Sequence, residues 1–369
     1  MVVGICHDRG VRTRVLVVSH ACVIEANQSV YTDLANDHEV EVVVPAVWRD
    51  DLRPTPYGGT RQSGSGLSLL PVGVVGVGRP QRHVHLCSPR RVLERRNPHV
   101  VIIEEEAFSL AGWRWSRAAR RLGLPYAIQS AENLERSLPR LMKWAERSVL
   151  AHAHWVMARS PGAGERSVRH GASRDVVEVV PHGVDVVGAN EERCRSGVVG
   201  FVGRLAPAKG VSDLLDVARR RPDLQFEFVG DGELRDVVSS AGTNVTYRGV
   251  LAADELNDFY ASVAVLAVPS RTTPTWSEQF GRVIVEAQAH GTPVVAYDSG
   301  EIPWVAQETA VIVVPEGDVN QLTEALARCA VGEEGRQRGR EGRTLVENRF
   351  TNAAAAAQIR RFVTSIVSR

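Results

Sequence analysis

Two carboxylates, Glu278 and Glu286, stand eight positions apart astride the pair Phe280-Gly281. Trp276 and Ser277 precede that pair, and the apolar-patterned run Val283 to Ala289 follows, closed by Gly291 and Pro293. A loop should therefore turn into a helix here. Gly281 lets the backbone come close to a ligand, and the first turn of a helix presents unpaired N–H groups to it. An ionised carboxylate on each side of such a turn accepts hydrogen bonds from paired hydroxyls, which suits a polyol such as a sugar or a ribose. A surface helix that merely opens with acidic residues, favoured by the macrodipole, is the structural alternative.

A second loop adds cations. Gly203-Arg204-Leu205-Ala206-Pro207-Ala208-Lys209-Gly210 follows a β-rich run and precedes a helical one. Arg204 and Lys209 thus flank a point where a helix N-terminus offers N–H groups to an anion. Arginine forks two phosphate oxygens and lysine adds a compact positive charge. As a solvent-facing cation, Lys209 should matter more to turnover than to stability.

These stretches resemble the retaining glycosyltransferases of family 4, which have the GT-B architecture. The resemblance is carried by the G-R-x-x-x-x-K-G pattern of residues 203–210 and by Val229-Gly230-Asp231-Gly232. It extends through Pro269 to Gly281, Glu286-Ala287 and Gly291-Thr292-Pro293-Val294-Val295. It implies that Arg204 and Lys209 hold a nucleoside diphosphate and neutralise it as it leaves, with Glu278 beside them as the third catalytic residue. It also assigns Gly203, Gly230, Val250, Phe280, Gly281, Arg282 and Glu286 to the donor. Glu286 would take the ribose hydroxyls, Glu278 and the Phe280–Gly281 backbone the donor sugar, and the Arg248-Gly249-Val250 backbone the base. The glycines of the Gly230 turn fit turn geometry as well as ligand contact.

By family default the co-substrate is a UDP-sugar, with no further cofactor. No D-x-D triplet occurs in the sequence, so the resemblance implies metal independence, with Arg204 and Lys209 in place of an ion. Family members retain anomeric configuration without a covalent nucleophile, and none is assigned here.

The first half departs from the commoner family pattern. Ser19-His20-Ala21-Cys22 stands where many relatives carry a Gly-Gly pair, and Glu104-Glu105-Glu106 where a His-rich motif is usual. Gln129-Ser130-Ala131-Glu132-Asn133-Leu134 resembles an E-N-L segment of one bacterial branch. Glu106, Glu132 and Asn133 are the acceptor-binding candidates. Two readings of the Glu run stay open, acceptor binding and a solvated rim. His182 sits where relatives usually have Asn, and a structural role in the turn is expected.

Short β-rich runs alternate with longer helical ones along the 369 residues, the pattern of parallel α/β sheets. Strands are expected at Arg14–Ser19, Glu39–Val44, Val100–Ile103, Pro125–Gln129 and Val176–Val180. A second series comprises Val198–Val202, Gln225–Val229, Asn244–Tyr247, Val263–Val268, Val294–Ala296 and Val311–Val314. Helices are expected at 109–122, 139–150, 161–170, 211–220, 279–290 and 352–367. The fold class is α/β, two Rossmann-like doubly wound domains facing a central cleft. Residues 1–185 would bind acceptor, 186–196 link, 197–351 bind donor, and 352–369 cross back onto the first domain. Residues 49–66, dense in Pro, Gly and Ser, read as a mobile loop, and residues 1–12 as unstructured.

Composition narrows the partners. Hydrophobic content of 44% and charged content of 24% are those of a globular protein, and a net charge of +1 gives no pull towards nucleic acid. Residues 1–185 carry 24 Lys and Arg against 19 Asp and Glu, and the rest carry 20 against 24. Five scattered cysteines without a C-x-x-C argue for a reducing compartment and against a zinc site. No run approaches the roughly 20 apolar residues of a membrane span, and the N-terminal residues do not read as a signal peptide. A cytoplasmic protein is expected, with the inner face of the membrane as an alternative position. Between Arg79 and Arg121 there are ten Arg against four acidic residues, with Trp113 and Trp115 among them. Such a face suits anionic lipid or is the ordinary outer side of helices. The acceptor is accordingly a small molecule or a lipid-linked glycan. Nothing in the sequence specifies an oligomer. Two other readings of the fold stay open, a sugar-nucleotide epimerase and a non-catalytic sugar-nucleotide-binding subunit.

Overall fold

The computed structural model describes residues 12–50, 53–57, 67–186 and 197–368. Strands β1 (Arg14–Val18), β2 (Glu39–Pro45), β3 (Leu67–Val72), β4 (Val100–Glu106), β5 (Tyr126–Ser130), β6 (Trp155–Ala158) and β7 (Val177–Val179) form one sheet. Its order is β7-β6-β5-β4-β1-β2-β3, parallel throughout. A second parallel sheet contains β8 (Val198–Val202), β9 (Gln225–Val229), β10 (Val245–Gly249), β11 (Val265–Val268), β12 (Val294–Tyr297) and β13 (Ile312–Val314), in the order β10-β9-β8-β11-β12-β13.

Register explains where ligands go. Val15 of β1 lies opposite both Val40 and Val100, and Val199 of β8 opposite both Phe226 and Val265. The chain thus winds outward in both directions from β1 and from β8. The loops leaving the strands diverge at those switch points and open a crevice at the strand C-termini.

Helices cover both faces, so the central strands read as continuous apolar runs rather than alternating ones. Val15 to Val18 are at most 2% exposed and Val100 to Ile103 are fully buried. The period of two still sorts side chains by face. Val15, Val17, Val40 and Val42 pack into one layer of the first sheet, and Leu16, Val18, Val43 and Val101 into the other.

The first of those layers is completed by the end of the chain. The helix Asn352–Val367 places Ala355, Ile359, Phe362 and Val363 in it, with Phe362 stacked on Trp155 at 4.8 Å. Thr351 caps that helix, its Oγ1 accepting from the Ala354 N–H at 3.0 Å. Where the chain crosses between sheets, its two passes lie side by side. Val184 donates its N–H to Phe350 O at 2.8 Å, and Asn352 returns one to Val184 O at 3.1 Å.

Several elements differ from the sequence expectation. The helix anticipated from Gln279 begins at Arg282, because Gly281 takes a left-handed φ of 75° as its N-cap. β3 arises from a segment without a strong β-pattern, and it lies at the sheet edge where one neighbour suffices. Within the expected loop 49–66, Arg53–Tyr57 pairs with Trp48–Asp50 as an antiparallel hairpin, while 51–52 and 58–66 lie outside the described residues. Residues 1–11 and most of the expected linker, 187–196, also lie outside them. Among the described residues no helix is long and apolar enough to cross a membrane.

Candidate active site

The loop after β8 runs through Arg204, which is exposed, to a short turn Pro207–Lys209 and then the helix Val211–Arg220. Its backbone packs directly on the Gly230 turn that follows β9. A Cβ at Gly230, where φ is 129°, would lie 1.9 Å from Gly203 O. Gly230 therefore serves the close contact between the two loops, where no side chain fits.

Lys209 is not the solvent-facing cation expected from sequence. Its Nζ lies 2.8 Å from Glu278 Oε2 and 4.4 Å from the centre of the Trp276 ring. Ser270 Oγ donates to the same Glu278 oxygen at 2.9 Å, and Glu278 is 8% exposed. Two of the expected catalytic residues are thus a mutually neutralised pair held from two sides. Glu286 sits one turn along the adjoining helix, accepting from Tyr260 Oη at 2.8 Å and pairing with Arg282 Nε at 2.8 Å. Each of its oxygens keeps a lone pair for a hydroxyl. The Phe280 side chain is buried against Trp304 and Phe350, so only its backbone is placed to meet a ligand. Val250 stands exposed just beyond β10.

Opposite, the first sheet carries a cavity of about 360 Å³ that reaches from His20 and Glu106 to Gln279 and Arg282 of the second domain. The Glu run lines it, and the solvated-rim reading fails. Glu104 pairs with buried Arg159 at 2.5 Å, and Glu105 is 1% exposed. Glu106 accepts from the Ala131 N–H at 2.8 Å, and burial pushes its carboxyl up to about 7. Glu132, which is buried, pairs with Arg136. Glu106 and Glu132 are accordingly brought together in the cavity wall.

Asn133, an acceptor-binding candidate, uses both ends of its amide across the cleft. Its Nδ2 donates to Glu278 O at 3.0 Å and its Oδ1 accepts from Ser277 Oγ at 3.0 Å. Arg282, expected at the donor, also reaches over, donating to Asn27 Oδ1 at 2.7 Å. Both residues tie the two halves together. His182 lines the cavity rather than serving the turn alone, its ring 5.6 Å from that of Phe280. Burial, reinforced by Arg159 and Arg282, holds it well below the usual imidazole range, so it is neutral.

A residue passed over in sequence stands out here. His20 Nδ1 lies 2.8 Å from Glu105 Oε2, and the His20 backbone N–H donates to Glu105 Oε1 at 3.0 Å. The His20 ring packs against Trp48 at 5.1 Å and His83 at 5.4 Å, and those two rings also touch each other. Although burial opposes it, His20 is raised above its ordinary 6.5 by Glu105, with Glu104 and Glu106 adding to the effect. Glu105 itself is lowered to about 2 by His20 and His83 against the opposing effect of burial. The signal available in sequence was the position of His20, directly after the first strand. Cys22, also in that loop, is a buried thiol whose Sγ donates to Asn27 O at 3.4 Å.

His20, His83 and Glu105 also bring three potential metal-ligand atoms within 4.8 Å of one another. The 2.8 Å between His20 Nδ1 and Glu105 Oε2 is shorter than the roughly 3.3 Å separating two ligands of a tetrahedral zinc. It is a hydrogen-bond distance. The Arg79–Arg121 segment does not present its tryptophans: Trp115 is fully buried and donates to His85 Nδ1 at 3.1 Å, and Trp113 packs on the core under Arg117. The large apolar side chains standing in solvent include Leu141 and Trp144 on the helix Arg140–Leu150.

Comparison with known proteins fits this geometry. Residues 26–183 match the glycosyl transferase 4-like domain and residues 196–330 the glycosyl transferases group 1. A GDP-mannose-dependent alpha-mannosyltransferase of Mycolicibacterium smegmatis is 33% identical over 228 residues, 57% of this chain and 58% of the relative. A 2-deoxystreptamine N-acetyl-D-glucosaminyltransferase of Streptomyces fradiae is 30% identical over 275 residues, 65% of this chain and 64% of the relative. The chain thus spans less than two thirds of the length of these curated relatives. Among solved structures, the Anabaena protein HepE in complex with UDP and glucose superposes with a TM-score of 0.70 at 16% identity, covering 96% of this chain and 100% of that one. Sucrose-phosphate synthase from Thermosynechococcus elongatus gives 0.73 at 17%, covering 97% and 100%. At such identities the likeness is one of fold.

Proposed function

The chain belongs to the GT-B glycosyltransferases that resemble family 4, and we propose that it moves a sugar, with retention, from a nucleoside diphosphate to a hydroxyl or amine acceptor. The observation that carries this reading is the pairing of Lys209 with Glu278 at 2.8 Å beside the helix N-terminus at Val211, with Glu286 on the neighbouring helix. A diphosphate entering there meets Arg204, Lys209 and backbone N–H groups. Glu278 then meets the hydroxyls of the sugar, and Glu286 those of the ribose.

Departure of the diphosphate builds negative charge on its phosphates, and cations already fixed in place stabilise it without reorganisation. Arg204 and Lys209 supply that charge in a metal-independent reaction, and UDP is the nucleotide proposed. The cavity on the first sheet supplies the acceptor side. Glu106 and Glu132 in its wall favour a polyhydroxy or amine-bearing acceptor over an anionic one.

Thermal shift with UDP, GDP, ADP and TDP, with and without EDTA, tests the donor half of the proposal. A selective shift for UDP that survives EDTA is the expected result. No shift with any nucleotide would remove the donor site as described. For the acceptor, 2-deoxystreptamine, which appears in the name of the Streptomyces fradiae relative, is the first compound to offer.

A further inference from the structure

We infer that His20 Nε2 takes the proton from the acceptor nucleophile during transfer, with Glu105 as the residue that positions the His20 ring. The inference rests on the glycosyl-transfer reading above and adds a residue to it.

The tautomer follows from the partners. Glu105 is ionised and accepts only, so the His20 nitrogen 2.8 Å from its Oε2 must carry a hydrogen. In neutral His20 the lone pair is therefore on Nε2. Among the described residues no hydrogen bond is assigned to that atom, and the ring lines the cavity with 21% of the side chain exposed. Packing against Trp48 and His83, which also touch each other, restrains the ring, and the backbone N–H of His20 anchors the same carboxylate. A base held by a buried carboxylate, its second nitrogen free on a ring that lines an acceptor cavity, is the arrangement that general-base catalysis requires.

The cavity that His20 faces also contains Gln279 and Arg282, which flank the Phe280–Gly281 backbone at the donor sugar. Acceptor and sugar therefore meet in one continuous space. In the step, the acceptor oxygen or nitrogen forms its bond to the anomeric carbon as the bond from that carbon to the phosphate oxygen breaks. That bonding pair stays on the diphosphate, facing Arg204 and Lys209, and the acceptor's proton passes to His20 Nε2.

Charged groups around His20 set the pH at which it works. Glu104, Glu105 and Glu106 from β4, and His83 from the segment between β3 and β4, lie around the ring, and Glu132, Arg159, His182 and Arg282 share the cavity. The carboxylates dominate and raise His20 above 6.5. Activity should thus fall on the acid side with a limb above pH 6.5, and the limb should move to lower pH in Glu105→Gln.

The test has two arms. Nitrogen-15 spectra of the histidine-labelled full chain read the tautomer directly, and need no substrate. The expected result is an Nδ1–H tautomer for His20 whose titration shifts down in Glu105→Gln. An Nε2–H tautomer, or no shift in that variant, would overturn the inference. In the second arm, UDP-glucose and 2-deoxystreptamine are the probes. His20→Gln should lose on the order of 10²- to 10⁴-fold in kcat while UDP affinity, read by calorimetry, changes less than about twofold. Transfer by His20→Gln within threefold of the unaltered protein would overturn the proton-acceptor role. Absence of UDP binding or transfer in the unaltered protein would count against the proposed function instead, and the spectra would then decide the inference alone.

Discussion

Lys209→Ala should weaken the fold as well as the chemistry. Breaking a fully buried ion pair by removing one partner costs about 3–5 kcal/mol. Here the Lys209 side chain is 27% exposed and that of Glu278 11%, and Ser270 still donates to the glutamate. Partial solvation reduces the cost to about 2 kcal/mol. At roughly 2–4 °C per kcal/mol for a unit of this size, the Tm should drop by about 4–8 °C. A charge-assisted hydrogen bond to phosphate contributes about 1.5–3 kcal/mol, so UDP should bind roughly ten- to a hundredfold more weakly. Lys209→Ala/Glu278→Gln separates the two roles. With no charge left to compensate, it should recover most of the lost Tm, a coupling of about 1–2 kcal/mol, and none of the UDP affinity. Thermal denaturation and calorimetric titration of the four proteins measure both quantities. Additive Tm effects would refute the ion-pair argument, and UDP affinity within twofold in Lys209→Ala would refute the phosphate role.

Two further perturbations address the first domain. Glu106 has a folded-state carboxyl raised to about 7 from its ordinary 4.5, so the native state binds the extra proton between those values. The stability it contributes is full below about pH 4.5 and is lost as pH rises through about 7. Urea midpoints from pH 5 to 8 should therefore decline more steeply in the unaltered protein than in Glu106→Gln, and parallel curves would contradict the assignment. Ile359→Ala, at a residue 2% exposed in the core of the first sheet, should cost about 2–5 kcal/mol. Trp155, stacked on Phe362 of the same helix, gives the fluorescence readout, and an unchanged unfolding midpoint would show that this helix does not support the first sheet.

Much of this was legible in the chain. The strand Val198–Val202 and the helix Val211–Arg220 appear at the residues expected, because apolar runs and a Gly-bounded loop are local signals. What sequence did not reveal is which side chains pair. Lys209 meets Glu278 across 69 residues, His20 meets Glu105 across 85, and Asn133 meets Glu278 across 145. Each pairing depends on parallel register and on how the two domains face one another, and neither leaves a local trace. The same gap explains the Glu run. Three consecutive acids leave acceptor binding and a solvated rim equally open until Arg159 and His20, from other strands and loops, are seen to pair with two of them.

The paired crossing at Val184 and Thr351 bears on how such a protein diversifies. The second sheet is an insertion whose entry and exit strands are bridged to each other, so the chain enters and leaves it through one doorway. A Cβ on Gly183 would sit 2.7 Å from the Asn352 backbone, which leaves that doorway no room for a bulkier lining. Exchanging donor specificity by recombination therefore needs two cuts, one near Gly183 and one near Thr351, made in register. A single fusion point would graft a foreign final helix onto Ala355, Ile359 and Phe362's partners in the first sheet and inherit a mismatched core. The residues of that helix and of the first sheet should travel together through any such exchange, as one inherited unit split by the segment between them.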